Sequence, residues 1–329
     1  MKPTILFGGT NRERLVSVAS AQAIIAALPQ ADLWFWTPDG RVRTAARSAL
    51  IAHQRPFEID FPAGEGEDLG PIEAALDRSV AERRVLVLAL HGGAAESGEF
   101  AALAEARGVA FTGSGAAASR LAFDKAAAKR AVVGAGVAVA GEVALDAASE
   151  GLARYGRLVA KPVAEGSSYG LLFIDDAEGL ARLAQAAACE AYLIEPFVAG
   201  QEATCGVLET DGGLIALPPV EILPGGGAFD YASKYLSAQT REICPATFAP
   251  EVNAALQASA LDAHRAVGAA GYSRSDFIVT PHGLIFLEIN TLPGLTPASL
   301  YPKTLAAQGV AFDAFLKGQV ALAERRARQ

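Results

Sequence analysis

Cysteine is scarce in this chain of 329 residues: Cys189, Cys205 and Cys244 are an odd, widely spaced set without a CxxC pair. That argues against a disulfide framework or a zinc site and leads us to expect a reducing compartment. The four histidines make no HxxxH pattern. Positive charge is also thin, with 28 Lys and Arg against 36 Asp and Glu, a formal charge of -8 and no basic block. No nucleic-acid partner is expected, because phosphate contacts need clustered Lys and Arg. No run approaches the ~18 apolar residues of a membrane helix. The opening "MKPTILFGGT" lacks the apolar region of a secretory leader. We expect a soluble cytoplasmic protein with small-molecule partners and no membrane association. Two signatures are missing as well: G-x-x-x-x-G-K-[ST], which excludes an ordinary P-loop, and the G-x-S-x-G nucleophile elbow.

What the chain does contain is apolar: 51% hydrophobic and 19% charged residues, enough for two or three packed domains. "TILFGG", "ADLWFWTP", "RVLVLALHGG" and "VAFTGSG" read as strands separated by helical stretches, which predicts a parallel α/β sheet through about residue 115. The alanine-rich "AAASRLAFDKAAAKRAVVGAG" is predicted as a helix leading into a small α+β unit of strand, hairpin, helix and strand from "VAVAGEVAL" to "YLIEPFV". A third region opens with the hairpin "ATCGVLETDGGLIALPPVEI", its turn at Asp211, Gly212 and Gly213. The glycine-rich loop "PGGGAFDYASKYLSAQT" then precedes a helix near Pro250, and loops of this length tend to be lids or binding loops.

In "VAKPVAEGSSYGLLFI" a small-residue loop with Gly166, Ser167, Ser168 and Gly170 lies between two apolar runs just after Lys161. Strand, tight loop and strand are expected. Exposed backbone N–H groups beside an ammonium make an anion site, so phosphate is one natural guest. A plain hairpin with a snorkelling lysine accounts for the stretch equally well.

"YSRSDFIVTPHGLIFLEINTLPG" is sharper. Phe277, Val279, Ile285, Leu287 and Ile289 occupy odd positions and are predicted to line a core face, leaving Arg274, Asp276, Glu288 and Asn290 on the other. Arg274 and Asp276 face Glu288 and Asn290 across the hairpin only if its loop has an odd residue count. Two carboxylates and an amide oxygen are hard donors, too few to cage calcium but suited to magnesium that also binds a nucleotide's phosphates. A Mg-ATP site is expected there, the alternative being a solvated strand face. "GSGAAA" at Gly113 fits G-x-G-x-x-A, but no acidic residue ends a strand about 20 residues later as ribose binding would require. His91, at a strand end before a glycine loop, is either a ligand contact or a structural loop histidine.

Taken together, "LFGGTNRERLVS", "LHGGAAESG", "TGSG" followed by "DK", "KPVAEGSSYG", "IEPFVAGQE", "YASKYLS", "SRSDF" and "LEINTLPGLTPASL" resemble the D-alanine-D-alanine ligase family of the ATP-grasp superfamily, nearly end to end. The resemblance implies a three-domain ATP-grasp fold: residues 1–120 as an N-terminal parallel α/β substrate domain, 121–199 as a central ATP-grasp subdomain, and 200–329 as a C-terminal subdomain with the metal site and a lid loop. It implies ATP with two Mg2+ ions, Mn2+ as a substitute, and a homodimer.

Residue by residue, Lys125 and Lys161 match ATP-phosphate contacts, and Glu165 and Ser168 match other ATP-binding positions. Glu195, Phe197, Val198 and Glu202 match the adenine-ribose pocket, and Asp276, Glu288 and Asn290 the metal ligands. Glu13 matches the acid that holds the first substrate's ammonium. It also matches one member of a hydrogen-bonded set completed by Ser167 and Tyr235. Val16 and His91 match the first-substrate site, Lys234, Ser299 and Leu300 the second, and Arg274 with the Gly294 N–H the oxyanion stabilisers. The implied reaction joins two D-alanines through an acyl phosphate, for the cell wall. Departures from the family pattern stand at Leu15, Ser97, Tyr169 and Ser275, and they leave open a ligase for another amino-acid pair or a non-catalytic nucleotide-binding homologue.

Overall fold

The computed structural model describes all residues except 63, 165, 167, 168, 224–239 and 329. Six strands form the first sheet: β1 (Lys2–Gly8), β2 (Asp32–Trp36), β3 (Arg41–Thr44), β4 (Asp68–Pro71), β5 (Arg84–Ala89) and β6 (Ala110–Phe111), in spatial order β4-β3-β2-β1-β5-β6. β1 pairs in parallel with β2 and β5, and β5 in parallel with β6. β5 is buried along its whole length, so its sequence RVLVLA shows no polar alternation. At one edge the parallel expectation fails, because β3 and β4 extend the sheet antiparallel. They are short and carry charge, held by the Arg41–Asp68 pair at 2.8 Å, and gave no apolar run to read. β2 and β5 flank β1 on opposite sides, so the loops leaving β1 and β5 diverge and open a crevice at their carboxyl ends.

The alanine-rich stretch expected to be one helix is two, Ala116–Phe123 and Lys125–Gly134. Asp124 interrupts it: its carboxylate accepts the Ala127 N–H at 2.8 Å and caps the second helix. Lys125 is thereby fixed at that helix's first turn. "VAVAGEVAL" forms no strand. It crosses between sheets, making a single bridge of Val139 with Phe286 and one bond from the Val143 N–H to the Ile194 carbonyl.

β7 (Leu158–Pro162), β8 (Leu172–Ile174) and β9 (Tyr192–Pro196) make a three-stranded antiparallel sheet in order β8-β7-β9, with the helix Ala177–Ala187 between β8 and β9. The third sheet holds β10 (Gln201–Thr210), β11 (Gly213–Ala216), β12 (Val220–Leu223), β13 (Arg241–Ile243), β14 (Tyr272–Thr280) and β15 (Gly283–Asn290) in order β13-β12-β10-β14-β15, with β11 also on β10. Asp211 and Gly212 form the β10–β11 turn, as the sequence predicts. The helix Pro250–Ala266 lays Leu256, Ala260 and Ala263 on this sheet. The last helix, Phe312–Arg326, returns to the first sheet, where Phe315 and Leu316 share a core with Ile5, Phe7 and Ile25. No helix among the described residues is long and apolar enough to cross a membrane.

The β14–β15 hairpin corrects one expectation. Its loop is Pro281–His282, an even count, with Thr280 opposite Gly283. A regular ladder from that turn would set Asp276 opposite Leu287. Instead the register shifts after Phe277, which pairs with Phe286, while Asp276 pairs with Glu288 and Arg274 with Asn290. Leu287 is the extra residue of a β-bulge, and the bulge supplies the odd count that the loop lacks. Beyond it the faces of β15 exchange: Phe286 and Leu284 join Phe277, Val279 and Ile289 in the core, and Ile285 and Leu287 do not.

Candidate active site

Where the loops after β1 and β5 diverge, a cavity of about 130 Å³ is bordered by Glu13, Val16, His91 and Glu96 on one side and Arg274, Glu288 and Asn290 on the other. Gly294, Ser299 and Leu300 close its far end. Asn11 ties the two loops together. Its side chain accepts the Glu13 N–H at 2.7 Å and donates to the His91 carbonyl at 2.9 Å. Gly92, at φ 63°, packs against the Glu13 carboxylate so closely that a Cβ would lie 2.0 Å from Oε2, so only glycine fits. His91 Nδ1 donates to the Leu292 carbonyl at 3.2 Å, which leaves Nε2 to accept from Ser20 Oγ at 2.9 Å. Burial lowers the His91 pKa to about 4 against the pull of that carbonyl, with Arg274 adding to the fall. The ring is neutral at pH 7. Glu96 is shifted the other way, up to about 8, first by burial and then by the nearby Glu13, although the Gly92 N–H at 3.0 Å favours its charge.

A second cavity, of about 180 Å³, is bounded by Lys161, Glu195, Phe197, Val198, Glu202, Asp276, Leu287 and Glu288. Phe173 and Phe197 meet edge to face at 6.1 Å, and the Arg157 guanidinium lies 4.9 and 4.5 Å from their ring centres. These rings give one end of the cavity an apolar slot. At the other end Lys161 Nζ lies 3.1 Å from Glu195 Oε2, while the second Glu195 oxygen accepts from Lys129. Burial, followed by the Lys161 charge, lowers Lys129 to about 8 despite the opposing pull of Glu195.

Glu288 borders both cavities. Lys125 Nζ stands 3.7 Å from it. Asp276 is held by two guanidinium nitrogens of Arg274, Nε and Nη2, at 2.9 and 2.8 Å, and by the Thr204 hydroxyl at 2.6 Å. The Asn290 amide donates to Asp276 at 3.4 Å, and turning that amide over presents its oxygen to the same space. Among the described residues no three His, Cys, Asp or Glu side chains gather as a metal cluster. A cation here would draw on two carboxylates and the amide oxygen, a hard-donor set that suits magnesium with phosphate and water completing its shell.

The described residues named from the sequence therefore converge on these two cavities and the carboxylate between them. Glu165, Ser167, Ser168, Lys234 and Tyr235 lie outside the described residues. Several groups were not anticipated. Lys129 carried a signal, since it is one helical turn after Lys125. Glu96 carried another, three residues after the glycine pair that follows the β5 strand. Asn11, Ser20 and Thr204 support the site from within elements and had no local mark. Phe57, on the wall of the first cavity, arrives from a segment with no regular structure. At Ser97, where the family pattern has an acid, the buried hydroxyl makes no hydrogen bond among the described residues.

A family model described as D-ala D-ala ligase N-terminus matches residues 2–114, and one described as D-ala D-ala ligase C-terminus matches residues 147–320. The D-alanine--D-alanine ligase of Halalkalibacterium halodurans is 34% identical over 99% of this chain and 100% of its own length. That of Oleidesulfovibrio alaskensis is 39% identical over 96% of this chain and 94% of its own. Among solved structures, the VanG D-Ala:D-Ser ligase of Enterococcus faecalis superposes with a TM-score of 0.82 at 28% identity, covering 98% of this chain and 99% of that one. The D-alanine-D-alanine ligase of Coxiella burnetii gives 0.80 at 23% identity, covering 100% and 95%.

Proposed function

The chain belongs to the D-alanine-D-alanine ligase family and has its ATP-grasp fold, and we propose that it joins two D-alanine molecules into D-alanyl-D-alanine for peptidoglycan synthesis, using ATP. One observation carries the reading: the Glu288 carboxylate is the common wall of a cavity suited to amino acids and a cavity suited to a nucleotide.

Amide formation from two zwitterions in water is uphill, and a carboxylate is a poor electrophile. The first D-alanine, its ammonium against Glu13, directs its carboxylate at the γ-phosphorus of ATP; that P–O bond forms as the bond to ADP breaks, giving an acyl phosphate. The deprotonated amine of the second D-alanine then attacks the acyl carbon, forming the C–N bond and releasing phosphate. The Arg274 guanidinium and the Gly294 N–H border the space where the oxyanion develops, and each such donor is worth about 10²- to 10³-fold in rate. Lys161 and Lys125 hold the phosphates as point charges. Asp276, Glu288 and Asn290 would hold one or two Mg2+ ions, or Mn2+, which when bound neutralise the phosphate charge. Neutral His91 orients the first substrate without adding charge beside Arg274. Exclusion of water protects the acyl phosphate from hydrolysis.

The same reading makes residues 1–120, 121–199 and 200–329 three working units, and it includes a cytoplasmic homodimer. Lys234 and Tyr235 are assigned to the lid side, and Glu165, Ser167 and Ser168 to the phosphate loop. Phosphate release measured with ATP, magnesium and a panel of single and paired amino acids tests the function. Release with D-alanine alone is expected. Release only with another pair moves the substrate assignment, and no release with any pair removes the ligase reading.

A further inference from the structure

Lys129 is not among the residues lining either cavity, yet its ammonium is spent inside the protein next to one of them. The helix Lys125–Gly134 presents Lys125 and Lys129 one turn apart, an i,i+4 pair of like charges that would repel if left alone. Each finds a different carboxylate: Lys125 faces Glu288, and Lys129 faces Glu195. Glu195 reaches them from β9, where it pairs with Val159 and so stands diagonally across from Lys161 on the same sheet face. Two ammoniums thus share one carboxylate. The side chains of Lys129 and Glu195 are 6% and 3% exposed, and that of Lys161 is 13% exposed toward the cavity.

We propose that Lys129 is a positioning residue for nucleotide binding: it neutralises Glu195 from behind, which leaves Lys161 as the uncompensated charge of the buried trio, directed at the triphosphate. Two lysines and one glutamate carry one net positive charge. Without Lys129, Glu195 and Lys161 form a neutral one-to-one pair, the glutamate draws the ammonium away from the cavity, and the phosphates meet no net charge there. Water screens such a trio poorly when it is this deeply enclosed. The inference rests on the ATP reading of the second cavity given above.

Calorimetric titration of the full-length protein with ATP and magnesium, beside the D-alanine KM from phosphate release, tests it on four proteins. Lys129→Met should weaken ATP binding about 10-fold while shifting the D-alanine KM by no more than about 2-fold. Lys129→Arg should stay near the wild type. The decisive comparison is Lys129→Arg, which keeps the positive charge beside Glu195, with Lys129→Gln, which keeps a polar partner without the charge. The arginine should hold ATP affinity within about 3-fold of the wild type and the glutamine should lose about 10-fold. A lysine that only fills space would not separate these two. The proposal is overturned if Lys129→Met binds ATP normally, or if Lys129→Arg and Lys129→Gln bind ATP equally well. Should Lys129→Met fail to fold, Lys129→Gln decides alone: a loss of about 10-fold supports the proposal and affinity near the wild type ends it. Absence of ATP binding by the wild-type protein would instead remove the nucleotide reading, and this inference with it.

Discussion

Around the ends of β1 and β5, ionisable side chains lose their charge to burial: His91 is neutral at pH 7, and Glu96 keeps its proton up to about 8. Across the shared wall, Lys161 and Lys129 stand against the one carboxylate of Glu195 as ion pairs. The contrast follows from the guests. Amino acids bring their own zwitterionic charge, so most of the surrounding groups can be neutral, with Glu13 proposed to meet the ammonium and Arg274 the developing oxyanion. A triphosphate brings concentrated negative charge, which only fixed positive charge can offset in an enclosed space.

The largest break in this contrast should come from the residue that belongs to both sides. Glu288→Gln removes the charge but keeps the shape, and it should lower turnover about 10³-fold or more without altering the thermal transition; near-normal phosphate release would falsify the assignment of this carboxylate. Gly294→Ala sharpens the contrast by touching one side only. A Cβ there would lie 2.7 Å from Ser299 Oγ, which also bonds Thr296. We expect about 10-fold lower kcat with ATP affinity unchanged by calorimetry, and equal loss on both sides would argue against separate cavities.

The smallest effect concerns Glu96 and pH. Its folded carboxyl holds a proton up to about 8 against an ordinary value of 4.5. Between those two values the folded state carries a proton that the unfolded chain has released, so stability falls as pH rises across that window. His91 acts with the opposite slope. Its folded value of about 4 against 6.5 means that stability is lost as pH falls through that interval. Glu96→Gln should therefore raise the melting temperature at pH 8 relative to pH 5 by at least about 1–2 °C, the shift that ~1 kcal/mol produces in a chain of 329 residues. The acid-side decline set by His91 should remain, and a variant whose melting profile parallels the wild type throughout would show that Glu96 ionises normally.

Much of this was legible in the chain. The buried strands β1 and β5 announced themselves by continuous apolar runs, and the shared polar face of the β14–β15 hairpin by the parity of Asp276, Glu288 and Asn290. What escaped depended on distant partners. The β3–β4 extension is held by cross-strand charges rather than by an apolar pattern. The Asp124 break looks like any aspartate until its cap on Ala127 is seen. The bulge at Leu287 could not be placed because turn length and register both had to be known. Glu195, matched to a nucleotide pocket by resemblance, gave no hint that it would be divided between two lysines from different elements.

The bulge also makes Leu287 a spare residue in an otherwise regular hairpin. Excising it would leave Phe286 and Glu288 consecutive, opposite Phe277 and Asp276, so the hairpin would straighten without any change of partner. Most single deletions in a strand invert everything beyond the cut. Here the acid pair would survive and only the Leu287 side chain would leave the wall of the second cavity, a lever for varying that wall while the two carboxylates stay in place.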